Sequence, residues 1–255
     1  MNSRVLIITG ASRGLGAAAA RAAAELGANV TLASRSPDGL NAVLKEIEAG
    51  GRRGLAVRAD VSRADDCREV IRQTVEAFGR IDGLINNSGM IEPIAPLAEA
   101  DIDEWALNLS VNLLAPVRLI QLALPHLRQS RGRIVNVTSG AAVAVIGGWT
   151  AYSAAKAALN HLTRILAQEE PQVTTLALRP GIVDTAMQSA IRAKGKGRMA
   201  EANYRRLAGA YETGTLLPPD LPGRAMALLA LYAPPEWSGE VLNWDDDRVK
   251  QLENI

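Results

Sequence analysis

Residues Arg4–Thr9 read Arg-Val-Leu-Ile-Ile-Thr, an almost unbroken apolar run with no polar face to turn toward water. Such a strand is stable only when covered on both sides, as inside a parallel sheet flanked by helices. A glycine-rich turn follows, then an alanine-rich helical pattern to about Leu26, stopped by Gly27. The alternation continues. Strand patterns recur at Asn29–Ser34, Leu55–Ala59, Ile81–Asn86, Arg133–Thr138, Val173–Arg179 and Glu240–Trp244. Helical patterns separate them: one opened by Pro37, one capped by Ser62 or Asp65 and ending near Phe78, and a long one over Ile102–Gln129 with breaks expected near Asn108 and Pro116. Tyr152–Glu169 and Pro222–Tyr232 are the last two. Repeated strand-then-helix units close with right-handed crossovers. The expectation is a single α/β domain over residues 1–255, doubly wound, with a parallel sheet of about seven strands and helices on both faces. Residues 183–216 mix helix formers with Gly195, Gly197 and Gly214 and read as an inserted lid.

Composition narrows the function classes. Apolar residues make up 48% of the chain, enough for a sizeable core, and the formal charge is +1, which advertises neither a nucleic acid nor a membrane surface as partner. Cys67 is the only cysteine, so an internal disulfide is ruled out. We expect no apolar run near the ~20 residues that span a bilayer, no leader, and a cytoplasmic location. His126 and His161 fall in helical patterns without ligand-spaced companions, so no metal site is expected. There is no Gly-x-Ser-x-Gly elbow of a hydrolase.

The turn after the first strand is Thr9-Gly10-Ala11-Ser12-Arg13-Gly14-Leu15-Gly16. Gly10 permits a sharp turn, Gly14 a close approach to a pyrophosphate, and Gly16 tight packing of helix on strand. The helix start then offers free N–H groups to phosphate. The Gly-x-x-x-Gly-x-Gly spacing resembles that of the short-chain dehydrogenase/reductase family, and the resemblance runs along nearly the whole chain. It implies a Rossmann fold and a nicotinamide cofactor. Asp60-Val61 resembles the family's adenine contact. Asn86-Asn87-Ser88-Gly89 resembles its Asn-Asn-Ala-Gly motif, with Ser88 in the alanine position. Pro180-Gly181-Ile182-Val183 and Thr185 match its nicotinamide-side turn.

The second strand ends Ala33-Ser34-Arg35, with no acid to hold a ribose 2′-hydroxyl. Arg35 and Arg13 are placed to neutralise a 2′-phosphate, and Ser34 to donate to it. NADP(H) is therefore the expected cofactor.

Tyr152-Ser153-Ala154-Ala155-Lys156 sets a phenol and an ammonium group four residues apart on a helix, hence on one face. An unperturbed phenol titrates near pH 10, about three units above neutrality. A neighbouring ammonium and the positive nicotinamide ring of an oxidised cofactor both lower that value and make Tyr152 a usable proton donor and acceptor. Ser139, at the carboxyl end of the fifth strand, is placed to hold the substrate oxygen, and Lys156 to bind the nicotinamide ribose. With Asn112, these residues match the family's Asn-Ser-Tyr-Lys tetrad; the resemblance implies that Asn112 orders a water relaying protons to Lys156.

An apolar substrate pocket is expected from Met90, Ile91, Val145, Ile146, Trp149, Met187, Ile191 and Met199, with Ile146, Trp149 and Met187 the leading contacts and Glu92 a polar exception. Small apolar carbonyl compounds follow as the substrate class. Arg192, Lys194, Lys196 and Arg198 form a basic run in the lid, read either as a solvated face or as a phosphate grip for a thioester. Within the family, Ala157-Ala158-Leu159-Asn160-His161, Pro180 to Gln188 and the ending Leu242-Asn243-Trp244-Asp245-Asp246-Asp247 resemble the sepiapterin reductase and benzil reductase branch. That likeness implies an NADPH-dependent carbonyl reductase, with a 3-oxoacyl-thioester reductase or a non-catalytic NADP(H)-sensing regulator as the alternatives. Excess apolar residues on the helices around 102–129 and 152–169 (Leu107, Leu109, Val111, Leu113, Leu114, Leu119, Ile120 and Leu124) point to a homodimer or homotetramer.

Overall fold

The computed structural model describes residues 3–254. Seven parallel strands, β1 (Val5–Thr9), β2 (Asn29–Ser34), β3 (Gly54–Arg58), β4 (Gly83–Asn86), β5 (Arg133–Val137), β6 (Thr174–Arg179) and β7 (Val241–Asn243), form one sheet in the order β3-β2-β1-β4-β5-β6-β7. The order reverses between β1 and β4, so the loops after these two strands part and leave a crevice at their carboxyl ends. Helices α1 (Gly14–Glu25), α2 (Pro37–Ala49) and α9 (Asp220–Tyr232) cover one face; α3 (Ala64–Phe78), α5 (Ala115–Ser130) and α6 (Thr150–Glu169) cover the other. The central strands are apolar on both sides because both sides are buried: Leu6 and Ile8 join one core, Ile7 the other.

Small residues let α1 sit close to its neighbours. Ala17 to Ala20 and Ala22 to Ala24 are all buried, and Gly223 of α9 lies so near Ala18 that a Cβ there would stand 2.7 Å from the alanine methyl. The third helix departs from the expected capping. Its first turn follows Arg63 without a side-chain cap. Ser62 turns back to donate its hydroxyl to Asp60 (2.7 Å), and Asp66 accepts from the Asp60 amide (2.7 Å), so these groups fasten the loop after β3 instead.

The expected interruption of the long helix is a π-helical turn, Ser110–Leu114, joining α4 (Ile102–Leu109) to α5 without a break. Asp101 caps α4 by accepting from the amides of Asp103 and Glu104. Pro116 follows close on the π turn, where the backbone hydrogen-bond ladder is already shifted. The continuous rod Ile102–Ser130 contains an 18-residue window of mean hydropathy 1.4 and is long and apolar enough, by length and composition, to cross a membrane. That corrects the expectation that no such segment exists. In the fold it packs as a core helix: Leu119, Ile120, Ala123 and Leu127 are buried with Val70 and Ile71 of α3, so Leu119 and Ile120 are not surplus surface residues. Leu107 and Leu114 are 46% and 45% exposed.

Residues 183–216 form a two-helix excursion, α7 (Ala186–Lys194) and α8 (Glu201–Glu212). Its neck is clasped by backbone bonds: Leu217 N–H donates to the Ile182 carbonyl and Asp184 N–H to the Leu217 carbonyl, both 2.9 Å. A third, smaller core under it joins Ile91, Ile146, Trp149, Tyr152, Ile191 and Leu207.

Candidate active site

Two turns interlock at the switch point of the sheet. Gly10 and Gly14 hold positive φ, 66° and 53°, which glycine alone adopts cheaply. A Cβ on Gly16 would run into the Gly10 carbonyl and the Asn87 side chain. Thr9, whose role the motif alone did not disclose, ties the second turn to the first. Its hydroxyl accepts from the amides of Asn87 and Ser88, both 3.0 Å, while Asn87 Nδ2 donates to the Thr9 carbonyl (2.8 Å). The result is a shallow backbone cradle at the start of α1, whose first N–H groups carry no side-chain cap.

Beside this cradle Ser34 Oγ donates to Ser12 Oγ at 2.8 Å. Arg13 and Arg35 are exposed and make no ion pair among the described residues. Asp60 holds its carboxyl below the ordinary aspartate value: burial pulls it upward, but the Ser62 hydroxyl and amide and the guanidinium groups of Arg35 and Arg63 outweigh that pull.

Across the crevice, Ser139 lies two residues past the end of β5 and caps a short turn by accepting from the Ala141 amide at 3.2 Å. Tyr152 and Lys156 project from the first turns of α6, both buried. Lys156 Nζ lies 5.6 Å from the centre of the Tyr152 ring and donates to the Val137 carbonyl at 2.8 Å. Burial pulls the ammonium down to about 8. For the phenol, burial dominates and raises its pKa, with the Ser139 hydroxyl opposing. Among the groups that face the phenol, none offsets the desolvation of a phenolate; Lys156 is engaged by a backbone carbonyl instead.

Asn112 sits in the π turn, fully buried behind Gly89 of the cleft wall: a Cβ on that glycine would stand 3.0 Å from Asn112 Oδ1. Its Oδ1 accepts from the Met90 amide (3.3 Å), and its Nδ2 donates to the Met90 carbonyl (2.8 Å) and to Asn108 Oδ1 (2.9 Å). Asn108, at the expected helix interruption, donates in turn to the carbonyls of Met90 and Glu92. The two asparagines clamp the loop after β4.

One cleft of about 1490 Å³ joins these parts. Gly10, Ser12, Arg13, Gly14, Leu15, Gly16, Ser34, Arg35, Asp60, Val61, Asn87, Ser88 and Gly89 line one arm, and Pro180, Gly181, Ile182, Val183 and Thr185 line its floor beside Ser139, Tyr152 and Lys156. Met90, Ile91, Ile146, Trp149, Met187 and Ile191 line the other arm. Two residues expected there are elsewhere: Val145 is 95% exposed, and Met199 packs beneath the lid against Gly195. The lid adds Gln188, the last residue of the branch-like stretch, and Asn203, Arg206 and Leu207, which no motif had marked. The basic run does not act as one grip: Arg192 lies 3.9 Å over the Tyr211 ring, and Lys194 pairs with Glu92 at 2.9 Å.

Comparison with known proteins agrees with this geometry. The family model described as short chain dehydrogenase matches residues 4–196. A benzil reductase ((S)-benzoin forming) of Saccharomyces cerevisiae is 36% identical over 260 residues, covering 96% of this chain and 97% of that protein. The crystal structure of a short-chain dehydrogenase/reductase from the same yeast superposes with a TM-score of 0.92 at 33% identity, over 98% of this chain and 99% of that one. An alcohol dehydrogenase from the archaeon Thermococcus sibiricus, complexed with 5-hydroxy-NADP, gives 0.80 at 30% identity, over 94% and 95%. With the interlocked glycine turns, the parallel seven-stranded sheet and the buried Tyr152–Lys156 pair, these likenesses make the chain a classical short-chain dehydrogenase/reductase of the benzil reductase-like branch, an oxidoreductase of C–OH and C=O groups.

Proposed function

We propose that this protein is an NADPH-dependent carbonyl reductase that converts ketones and vicinal diketones to alcohols, reversibly. The observation that carries the reading is the meeting of Ser139, Tyr152 and Lys156 at the sheet's carboxyl rim, where the glycine cradle and the apolar arm of the cleft join. The cradle suits a dinucleotide, because a side chain on Gly16 would fill it. The absence of an acid at the end of β2, the Ser12–Ser34 hydroxyl pair and the two uncommitted arginines Arg13 and Arg35 favour a 2′-phosphate there. When bound, the nicotinamide exchanges a hydride with the substrate carbon.

The chain's own residues manage the oxygen. Ser139 Oγ holds it. Tyr152 Oη gives it a proton in reduction and recovers one in oxidation. Burial keeps the phenol in the protonated form that reduction needs but makes it a weaker acid, so proton transfer relies on a cation that favours the phenolate. Lys156 Nζ, steadied on the Val137 carbonyl, stabilises the phenolate that remains. Ile91, Ile146 and Ile191 keep water from the reacting face.

The benzil reductase relative favours carbonyl reduction over the 3-oxoacyl-thioester reading, and the commitment of Arg192 and Lys194 removes half of the basic run that a thioester phosphate would need. NADPH oxidation against a carbonyl panel, with NADH in parallel, tests this. We expect NADPH preference and turnover of aryl ketones and diketones. Turnover of acetoacetyl-coenzyme A alone, or a strong NADH preference, overturns it. Tyr152→Phe is expected to abolish turnover by three orders of magnitude or so while NADPH titration stays nearly unchanged. Retained turnover removes Tyr152 from its role.

A further inference from the structure

Of the two adjacent arginines on α8, one is spent within the helix and the other is not. Arg205 pairs with Glu201 at 2.7 Å, one turn back. Arg206 has Ala202, Asn203, Gly209 and Ala210 at the positions three and four residues away, so the helix offers it no acid. Among the described residues its side chain makes neither an ion pair nor a hydrogen bond.

The side of α8 that carries Arg206 is the side turned to the substrate arm. Leu207 is 3% exposed and shares a core with Ile146, Trp149 and Tyr152. Asn203, one turn before Arg206, donates to the Val145 carbonyl at 3.4 Å, next to Ile146. Asn203, Arg206 and Leu207 all line the cleft, whereas Arg205 does not. Arg206 is exposed and so stands at the rim of the arm, above walls made of Ile91, Ile146, Trp149 and Ile191. None of the four acids that line the cleft, Asp60, Glu92, Asp184 and Asp245, pairs with it, and Glu92 is engaged by Lys194 at 2.9 Å. The rim therefore carries a cation that no protein carboxylate neutralises among the described residues.

Resting on the carbonyl-reductase reading, we infer that Arg206 is a specificity-determining residue that binds a carboxylate at the end of the substrate remote from the reacting carbonyl. The substrate class is a keto acid with an apolar body: its carbonyl meets Tyr152, its hydrocarbon fills the arm, and its carboxylate reaches the rim. A guanidinium presents a planar fork of N–H donors that matches a carboxylate. Apolar walls accept hydrocarbon of many shapes, so a placed charge supplies the selection that they lack. A neutral ketone of the same shape enters without that contact.

The test uses two pairs of ketones of different reach, with NADPH supplied: 4-acetylbenzoate against 4-acetylbenzamide, and 4-benzoylbenzoate against 4-benzoylbenzamide. Each pair keeps one shape and differs by one charge. In at least one pair, wild-type kcat/KM at low salt is expected to favour the carboxylate about fivefold, through KM. The advantage is expected to fade as salt rises from about 20 to about 300 mM. Arg206→Met is expected to bring the carboxylate-to-amide ratio to about one and Arg206→Lys to keep part of it, while Arg205→Met, outside the cleft, leaves it as in wild type. Ratios that Arg206→Met does not change, or that Arg205→Met lowers equally, overturn the inference. The salt series needs wild-type protein alone and decides if a variant does not fold; a ratio indifferent to salt overturns the inference. Reduction of the amides with no preference for either carboxylate sinks the inference and leaves the carbonyl-reductase reading standing. Reduction of none of the four ketones overturns that reading itself.

Discussion

The two arms of the cleft are built in different ways. The arm beside β1, β2 and β3 is made of backbone: positive-φ glycines, a threonine hydroxyl holding two amides, and a helix start. The arm beneath the lid is made of side chains from four separate segments, held by apolar contact and one ion pair. Backbone positions cannot yield by rotating a bond, whereas side chains can change rotamer or identity. The first arm therefore admits one class of ligand, and the second sets which substrate meets it.

Glycine replacements probe this contrast most strongly. Gly16→Ala places a methyl on the Gly10 carbonyl, with no rotamer to relieve it, and is expected to destabilise by about 3 kcal/mol and to weaken NADPH binding. Gly209→Ala, on α8 with no atom within 4 Å of the new methyl, is expected to stabilise by about 0.5 to 1 kcal/mol through helix propensity. Thermal melts of the two variants decide; equal shifts would break the comparison.

Lys156 stands where the arms meet, and pH reads its burial. Its pKa falls from 10.5 in the open chain to about 8 in the fold. Below about 8 both states are charged, and the fold bears the full cost of the buried ammonium. Between about 8 and 10.5 the unfolded chain binds more proton, so stability rises with pH. The gain has an upper limit of about 3 kcal/mol, from 1.36 kcal/mol per unit. Urea unfolding across that window should show the rise in wild type and lose it in Lys156→Met. The same titration is expected to make kcat/KM for reduction decline above about pH 8, as the phenolate loses its cation.

Arg35→Asp tests the cofactor arm alone. Replacing a cation with an acid at the end of β2 is expected to cut the NADPH-over-NADH preference about thirtyfold, near 2 kcal/mol, while the carboxylate-to-amide ratio holds. A changed carboxylate-to-amide ratio would show the arms to be coupled. The smallest effect is expected from Glu92→Gln, which removes the Lys194 pair; both side chains are partly exposed, and the loss in stability should be under about 1 kcal/mol and fade with salt.

The same difference decided how much the sequence disclosed. The sheet was legible because its strands are buried on both faces and so read as unbroken apolar runs, as Val5–Thr9 does. The glycine turn and the Tyr152–Lys156 pair are local strings, with every member within a few residues. The lid is the opposite. Glu92 and Lys194 are 102 residues apart, and nothing in either segment names the other. Gln188 looks like an ordinary helix residue until α7 turns it toward the cleft. Val145 looked like pocket because it is apolar, yet its loop turns it to solvent. Asn112 was legible as a tetrad member, but its bonds to the Met90 backbone, 22 residues away, were not.

The clasp between Ile182 and Leu217 has a consequence for how such a protein diversifies. It pins the departure and the return of the lid segment at one point on the body, so the closure entropy of everything strung between is fixed by that stitch and grows only slowly with added length. Residues can be inserted, deleted or exchanged in α7 and α8 without moving the sheet or the nucleotide cradle. The share of the cleft wall that α7 and α8 contribute is thus a replaceable cassette, set against the fixed share of Ile91, Ile146 and Trp149.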